Sequence, residues 1–443
     1  MKTTRKTSQA GQALPLGLVL LVAVASVVYY MFNSGQMVQE KIRLTNTADA
    51  VAYSAGVFEA RVLNYDAYTN RAMIANEIAI GQAVGLASWT KYAAVAADNI
   101  ADYVRWIPYV GAAIAQALEA FATYADYYTY AMVVPVLAHS AVIQALSLSQ
   151  YAVHGPGNTI ALASRQAVMQ EVARRNDPDA KVDALPLADN FMGFTQRYAS
   201  KDERRRMAQL VNDDRDAFLR SRRWDSIRIP CLPQMRKRGS TELVDHDDGW
   251  DWKSMDTLSA HVRRIRFICR GYEIPIGYGT AFTEDDLDDS AYSYAGSRGT
   301  NPRASNNAES SVAMGFDPVT RVGEAIPAFH DLSEQTMKDM PKDPRATLTI
   351  RVTKDAGKQR YSGGASAVQP EGRLERFDGK LASNKSAAIS SVEVFFERPD
   401  GNNPLFGKEE YGNLFNPYWQ VRLAPVSDAS RALAQGLQGR VTP

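Results

Sequence analysis

Twenty consecutive residues without a charge, Ala13–Phe32, constrain this chain more than any other feature. As a helix rising 1.5 Å per residue they cover about 30 Å, the thickness of a bilayer's hydrocarbon layer. Lys2, Arg5 and Lys6 precede the run, so the excess of positive charge predicts a cytoplasmic N-terminus and an exported remainder. Tyr29 and Tyr30 near its far end suit the interfacial aromatic belt. A cleaved secretory signal is one alternative, but the following MFNSGQ offers no convincing small-x-small cleavage site. A prepilin-type leader ending at Gly11, with the apolar helix kept after cleavage, is another; Leu16 stands where that pattern carries Glu. The expectation is a retained single-pass anchor, with Gly11 as a candidate processing site.

Beyond the anchor the chain changes character twice. From Gln36 to about Arg175 it is Ala-rich and reads as helix, interrupted at Ile107–Gly111, Pro135 and His154–Asn158. A long helix is expected from the membrane to about Trp89, then two or three more, then a last one over Ile160–Arg175. The apolar stretch Ala131–Leu148 is short for a span and carries Pro135 and His139, so a buried bundle helix is expected. From about Val182, Arg, Asp and Pro become frequent and strand-like runs appear. Arg264–Phe282 reads as strand broken into loop at Pro275 and its glycines. Ala346–Asp355 and Ser390–Asp400 alternate cleanly as a pair of half-buried strands, and Tyr294–Ser311 reads as a mobile polar loop. The fold class is therefore α+β. A basic leader (1–12) and a transmembrane helix (13–32) lead into a helical stalk or bundle (33–178) and a β-containing extracytoplasmic domain (179–443).

Charge and motifs exclude more than they propose. Lys plus Arg is 50 and Asp plus Glu 49, which gives no argument for a nucleic-acid partner. Only five His occur, so a multi-histidine metal centre is not expected, and no cofactor motif is present. The acidic group Asp245, His246, Asp247, Asp248 and Asp251 fails EF-hand spacing at Gly249 and reads as a solvated turn. Glu284–Ser290 reads as a hydrated loop. The basic clusters at 203–207, 219–224 and 235–240 sit among acids and read as salt-bridged surfaces. His330 and Asp331 are neighbours without a nucleophile at recognisable spacing. Cys231 and Cys269, outside the cytoplasm, would form a disulfide worth about 3–4 kcal/mol; two buried thiols are the alternative.

The stretch Leu44–Glu77 is unusually polar for a helix leaving a bilayer. Arg61, Asn64, Tyr68, Arg71 and Ala75 share one face, while Ala48, Ala52 and Ala55 make a narrow strip that a second helix could approach closely. Asn64 and Arg71 are expected at least half-buried and paired with later helices. Asn46, Asp49, Arg61, Asn64, Tyr68, Asn70, Arg71 and Asn76 are the candidate assembly residues.

Gly11–Gly56 resembles the N-terminal module of the TadE/TadG-like Flp (tight adherence) pilus-assembly proteins. A Gly precedes the membrane helix, and Gln39, Leu44, Asn46, Ala48, Asp49, Ala50, Ala52 and Ala55 follow the family's pattern. Trp250–His261, Glu273–Ala281 and Glu410–Val426 are similar to a TadG-related subgroup. Leu16 departs from the pilin pattern, and the von Willebrand-type domain of many TadG proteins is absent. The resemblance implies a non-catalytic, single-pass inner-membrane protein, its bulk periplasmic or incorporated into the pilus. Other Tad components, pilin subunits and the lipid bilayer are its implied partners. An exported adhesin is the alternative, and an unrecognised envelope hydrolase a third.

Overall fold

The computed structural model describes residues 13–184, 186–229, 232–246, 249–262, 272–283, 293–310, 322–360, 385–398 and 410–438. Gly11, Cys231, Cys269 and the acidic loop 284–290 lie outside the described residues, as do Asp247 and Asp248.

One helix organises the chain. α1 runs unbroken over Ala13–Val104, 92 residues, well past the expected end at Trp89. Pro15 sits in its first turn, where a missing N–H costs nothing, and the next proline is Pro108, just beyond its end. Its first turns are long and apolar enough to cross a membrane and bury nothing against the rest of the chain. α2 (Gly111–Ala131), α3 (Val133–His154) and α4 (Thr159–Asn176) return along it. α3 carries the expected apolar stretch from Val133 on, Ala131 closing α2 instead, and it buries Val136 and Ile143 in the core while Val134 and Leu148 remain exposed.

Both sheets are built on α1. Strands β1 (Ala180–Val182) and β2 (Ala188–Asp189) pair with β9 (Arg345–Asp355). β9 pairs antiparallel with β10 (Lys385–Phe396), and β10 with β11 (Trp419–Ala424). The alternation read in the sequence is thus a real strand pair, with Leu348 opposite Val392. Leu348, Ile350 and Val352 close over Ala48, Val51, Ala52 and Ala55 together with Met169 and Ala173 of α4. The small strip on α1 is therefore covered from within the chain, by a sheet and a helix at once. The second sheet has the order β4 (Trp224–Asp225), β5 (Gln234–His246), β6 (Gly249–Val262), β7 (Tyr272–Phe282). A small pair, β3 (Thr195–Tyr198) with β8 (Phe329–Leu332), completes the β structure. The short helices are α5 (Lys201–Asp213), α6 (Ala217–Arg220), α7 (Ser297–Thr300), α8 (Pro302–Ser310), α9 (Glu334–Asp339) and α10 (Asp428–Gln438).

Two sequence expectations fail here for physical reasons. The segment around Pro275 is strand, not loop. A register shift opposite Leu258 and Ser259 accommodates the proline, and the glycines admit α1. A Cβ on Gly279 would lie 2.5 Å from Ser88 O and from Tyr92 N, so β7 rests directly on the helix backbone. Tyr294–Ser311 is largely helical rather than a loop. Glu273 accepts hydrogen bonds from the N–H groups of Arg303 (2.9 Å) and Ala304 (3.1 Å), satisfying the orphan donors at the start of α8.

Gly279→Ala is expected to destabilise the chain by about 2 kcal/mol, because the helix backbone cannot yield as a side chain would. Gly35→Ala, with nothing within 4 Å, is the control and should be neutral or stabilising. Urea unfolding of the detergent-solubilised chain measures both; equal midpoints would show that the close approach carries no energy.

Candidate functional site along the long helix

α1 presents a buried seam of polar residues, each gripping a different part of the chain. Near the apolar end, Lys354 of β9 donates to Glu40 and to Asp177, both at 2.9 Å. One helical turn past the alanine strip, Arg165 of α4 is clamped between Glu59 and Asp189. Burial raises the Glu59 carboxyl to about 7 in spite of that guanidinium. Further along, Trp252 of β6 donates its indole N–H to Glu77 at 2.9 Å and lies across Gly81. Beyond it, Ser88 donates to Asp256 of β6 (2.9 Å), which also accepts from Arg222 and Lys237.

The densest station lies midway. Asp66 and His154 are wholly buried, with Oδ2 and Nε2 2.8 Å apart. The other ring nitrogen, Nδ1, faces Asn158 Oδ1 at 2.9 Å. The Asn158 amide N–H groups are occupied by Met192 O and Thr195, so its oxygen is the atom turned to the ring. Both imidazole nitrogens therefore meet oxygens, an arrangement that favours an imidazolium beside an ionised Asp66, although burial raises the Asp66 carboxyl. Burial opposes that charge, but the hydrogen bond and charge of Asp66, with Asn158, outweigh it and raise the His154 pKa. His330 stacks on this ring, centroids 4.0 Å apart and planes 11° from parallel. Burial first, then the His154 charge and Arg197, push His330 down to about 3, so it is neutral. Asn70 donates from one amide to the carbonyls of His330 and Leu414, each at 2.8 Å, and accepts from Gln150 (2.8 Å). Gln150 in turn accepts from the His330 N–H at 3.0 Å. Among the described residues Asp66 Oδ1 and His330 Nδ1 have no hydrogen-bond partner.

This cluster locks α1, α3 and β8 together and is sealed from solvent. Its acid and base cannot reach a substrate in this arrangement. Asp331, next to His330, is buried against Arg206 (2.8 Å) and its carboxyl is raised by that burial. The basic clusters are salt-bridged, Arg205 to Asp202 and Asp245 and Arg238 to Asp225, but not all on a helix surface as expected: 235–240 lies in strand β5, and Arg222 and Lys237 are buried against Asp256. His246 pairs with Asp251 at the β5–β6 hairpin. An open cleft of about 290 Å³ beside α5 is lined by Arg205, Gln209, Arg215, Glu242 and Trp250, with its arginines already neutralised.

The candidate assembly residues divide between two faces. Asn70 is fully buried, and Asn76 is half-buried, bonded to Ala72 O and to His139. Asn64 is half-buried but bonds the main chain of Trp419 through both its amide atoms (2.9 and 3.0 Å), a strand rather than a later helix. Arg71 is exposed, contrary to expectation, and its partner is Asn416 at 3.0 Å. The extended segment 410–418 has taken the place foreseen for a helix. Asn46, Arg61 and Tyr68 are exposed, and Asp49 is half-buried. The buried face passes through Glu59, Asp66, Asn70 and Glu77, two residues out of step with Arg61, Tyr68 and Ala75. Of the face singled out in sequence, Arg61, Tyr68 and Ala75 are uncovered, while Asn64 and Arg71 are met by Trp419 and Asn416. Comparison of the chain with family models, with characterised proteins and with solved structures finds no match.

Proposed function

We propose that the chain is a non-catalytic, membrane-anchored component of a Tad/Flp-type pilus-assembly system, with its bulk outside the cytoplasm. The carrying observation is the continuity of α1. The helix that holds the apolar span is also the spine of the folded part, and it leaves a stripe of Tyr53, Arg61, Tyr68 and Ala75 uncovered. Those positions recur at seven or eight residues, the repeat that keeps one face of a helix toward a partner helix. The pattern from Gln39 to Ala55 supports the family reading, and the sealed His330 and Asp331 lend a hydrolase nothing. A surface-binding role keeps one observation in its favour, the exposed ring edges of Tyr124, Tyr127 and Tyr128 on α2.

Affinity purification of the full-length protein from native membranes, read by mass spectrometry, tests the proposal. Recovery of pilin or of the pilus motor platform is expected. Arg61→Glu with Tyr68→Ala should abolish that recovery while leaving urea stability within about 0.5 kcal/mol, as befits exposed positions. Normal piliation in a deletion strain would overturn the reading.

A further inference from the structure

The end of the molecule farthest from the apolar span carries exposed hydrophobic side chains that the fold does not use. Roughly 108 Å of continuous helix separates Phe32 from Val104. There α1 turns into α2 through Arg105–Val110, a tight turn closed by Gly111 N–H to Ile107 O (3.0 Å) and braced by Arg105 with Glu119. Trp106 is 86% exposed, Ile107 49%, and Tyr109 fully exposed at a left-handed φ of 72°. A tyrosine held in that conformation with its ring in water is a cost the fold itself does not explain.

A second set of apolar residues reaches the same level. β7 runs antiparallel to α1, with Gly279 against Ser88 and Ile276 O bonded by Asn99 at 2.8 Å. Four more strand residues at about 3.3 Å each place Tyr272 roughly nine helical residues past Asn99, level with the turn. The pairing of Tyr272 with Val262 and of Gln234 with His261 puts residues 226–229, which follow β4, at this end too. There Ile227 is 86% and Ile229 51% exposed, on either side of the exposed Arg228; Tyr272 is 50% exposed.

We infer that this tip is a docking surface for a lipid bilayer, a second one relative to the bilayer holding Ala13–Phe32; the word second rests on that span being an anchor. Two loops from unrelated elements ending at one level suit a planar partner. Trp106, Tyr109 and Ile227 are almost wholly exposed, without the flanking walls of a groove that a peptide or helix partner needs. Trp and Tyr with Ile beside an Arg are the side chains that settle at a membrane interface, rings among the headgroups and the cation on phosphate.

The test uses full-length protein reconstituted into unlabelled proteoliposomes. Flotation of the protein with its vesicles first establishes the anchor. Fluorescent protein-free vesicles of equimolar phosphatidylethanolamine and phosphatidylglycerol are then added, and capture is counted. Capture is expected. The combined variant Trp106→Ser, Tyr109→Ser, Ile227→Ser, Ile229→Ser should lower it at least roughly tenfold, the loss expected when large apolar side chains no longer bury. Its circular dichroism should be unchanged, and Trp106→Phe with Tyr109→Phe should retain capture. Absent capture, or capture indifferent to the combined variant, overturns the inference. Capture only when the fluorescent vesicles also carry the protein overturns it in favour of a second copy of the chain. A chain that fails to float overturns the anchor alone, and vesicle sedimentation with that chain then reads the tip separately.

Discussion

Asp256→Ala is expected to remove about 3–5 kcal/mol of stability, the cost of leaving buried charge uncompensated. Asp256 is wholly buried and accepts three bonds from Arg222 (2.9 and 3.1 Å from Nε, 2.7 Å from Nη2), one from Lys237 and one from Ser88. Burial alone would raise its carboxyl, but the two cations outweigh that and hold it below the ordinary range. Truncation strands a guanidinium and an ammonium in the core and unpins α1 from β6 at Ser88. Lys237, which burial pushes down, can shed its proton, but Arg222 cannot. Lys237→Met is therefore expected to cost far less, since Arg222 still balances Asp256. Because the folded carboxyl is depressed, its contribution is present above about pH 4 and is lost on further acidification. Urea unfolding at neutral pH reads the two variants; a loss under about 1 kcal/mol for Asp256→Ala would mean that the triad is solvated in solution.

The parts of this fold legible in sequence are those set by local chemistry. The break at Ile107–Gly111 is marked, although α1 reads as ending earlier, near Trp89; Ala346–Asp355 alternates with period two, and the neutralised arginines sit among acids. What stayed hidden was which side of α1 faces inward. Arg61, Tyr68 and Ala75 form a face as regular as that of Glu59, Asp66 and Glu77, and polarity normally marks the wet side. Here charge goes inward because each buried acid has a partner more than seventy residues away in the chain: Arg165 for Glu59, His154 for Asp66, Trp252 for Glu77. Pairings that distant leave no local signal. One trace was available. Between Arg105 and Arg165 the chain carries only Glu119 and Asp126 as fixed charges, so His139 and His154 stand in an otherwise apolar helix and need partners. The helical glycines carry a similar trace. Gly56, Gly81 and Gly85 weaken a helix unless something presses on it, and Val421, Trp252 and Thr241 do.

His330→Gln is expected to alter the pH dependence of stability more than stability at neutral pH. His330 is neutral in the fold, pushed to about 3 by burial and by the imidazolium stacked on it. The unfolded chain binds that proton below about pH 6.5, so the wild-type chain loses stability as pH falls from there toward 3, by about 1.4 kcal/mol per unit. Two neighbours on the seam act in the opposite sense. His154 is raised, so its contribution is full below about pH 6.5 and disappears as pH rises through its folded value. Glu59, raised to about 7, makes the fold less stable as pH climbs from about 4.5 to 7. Over pH 4.5–6.5 the Glu59 effect opposes that of His330, and the raised carboxyls of Asp66 and Asp331 act in the same sense as Glu59, so the wild-type profile sums several groups. The informative quantity is therefore the difference between wild type and His330→Gln, in which Glu59 drops out. That difference should rise by about 1.4 kcal/mol per pH unit between pH 4 and 6 and level off near 7. A difference independent of pH would show that His330 is hydrated, and that the stacked pair at the centre of the spine opens in solution.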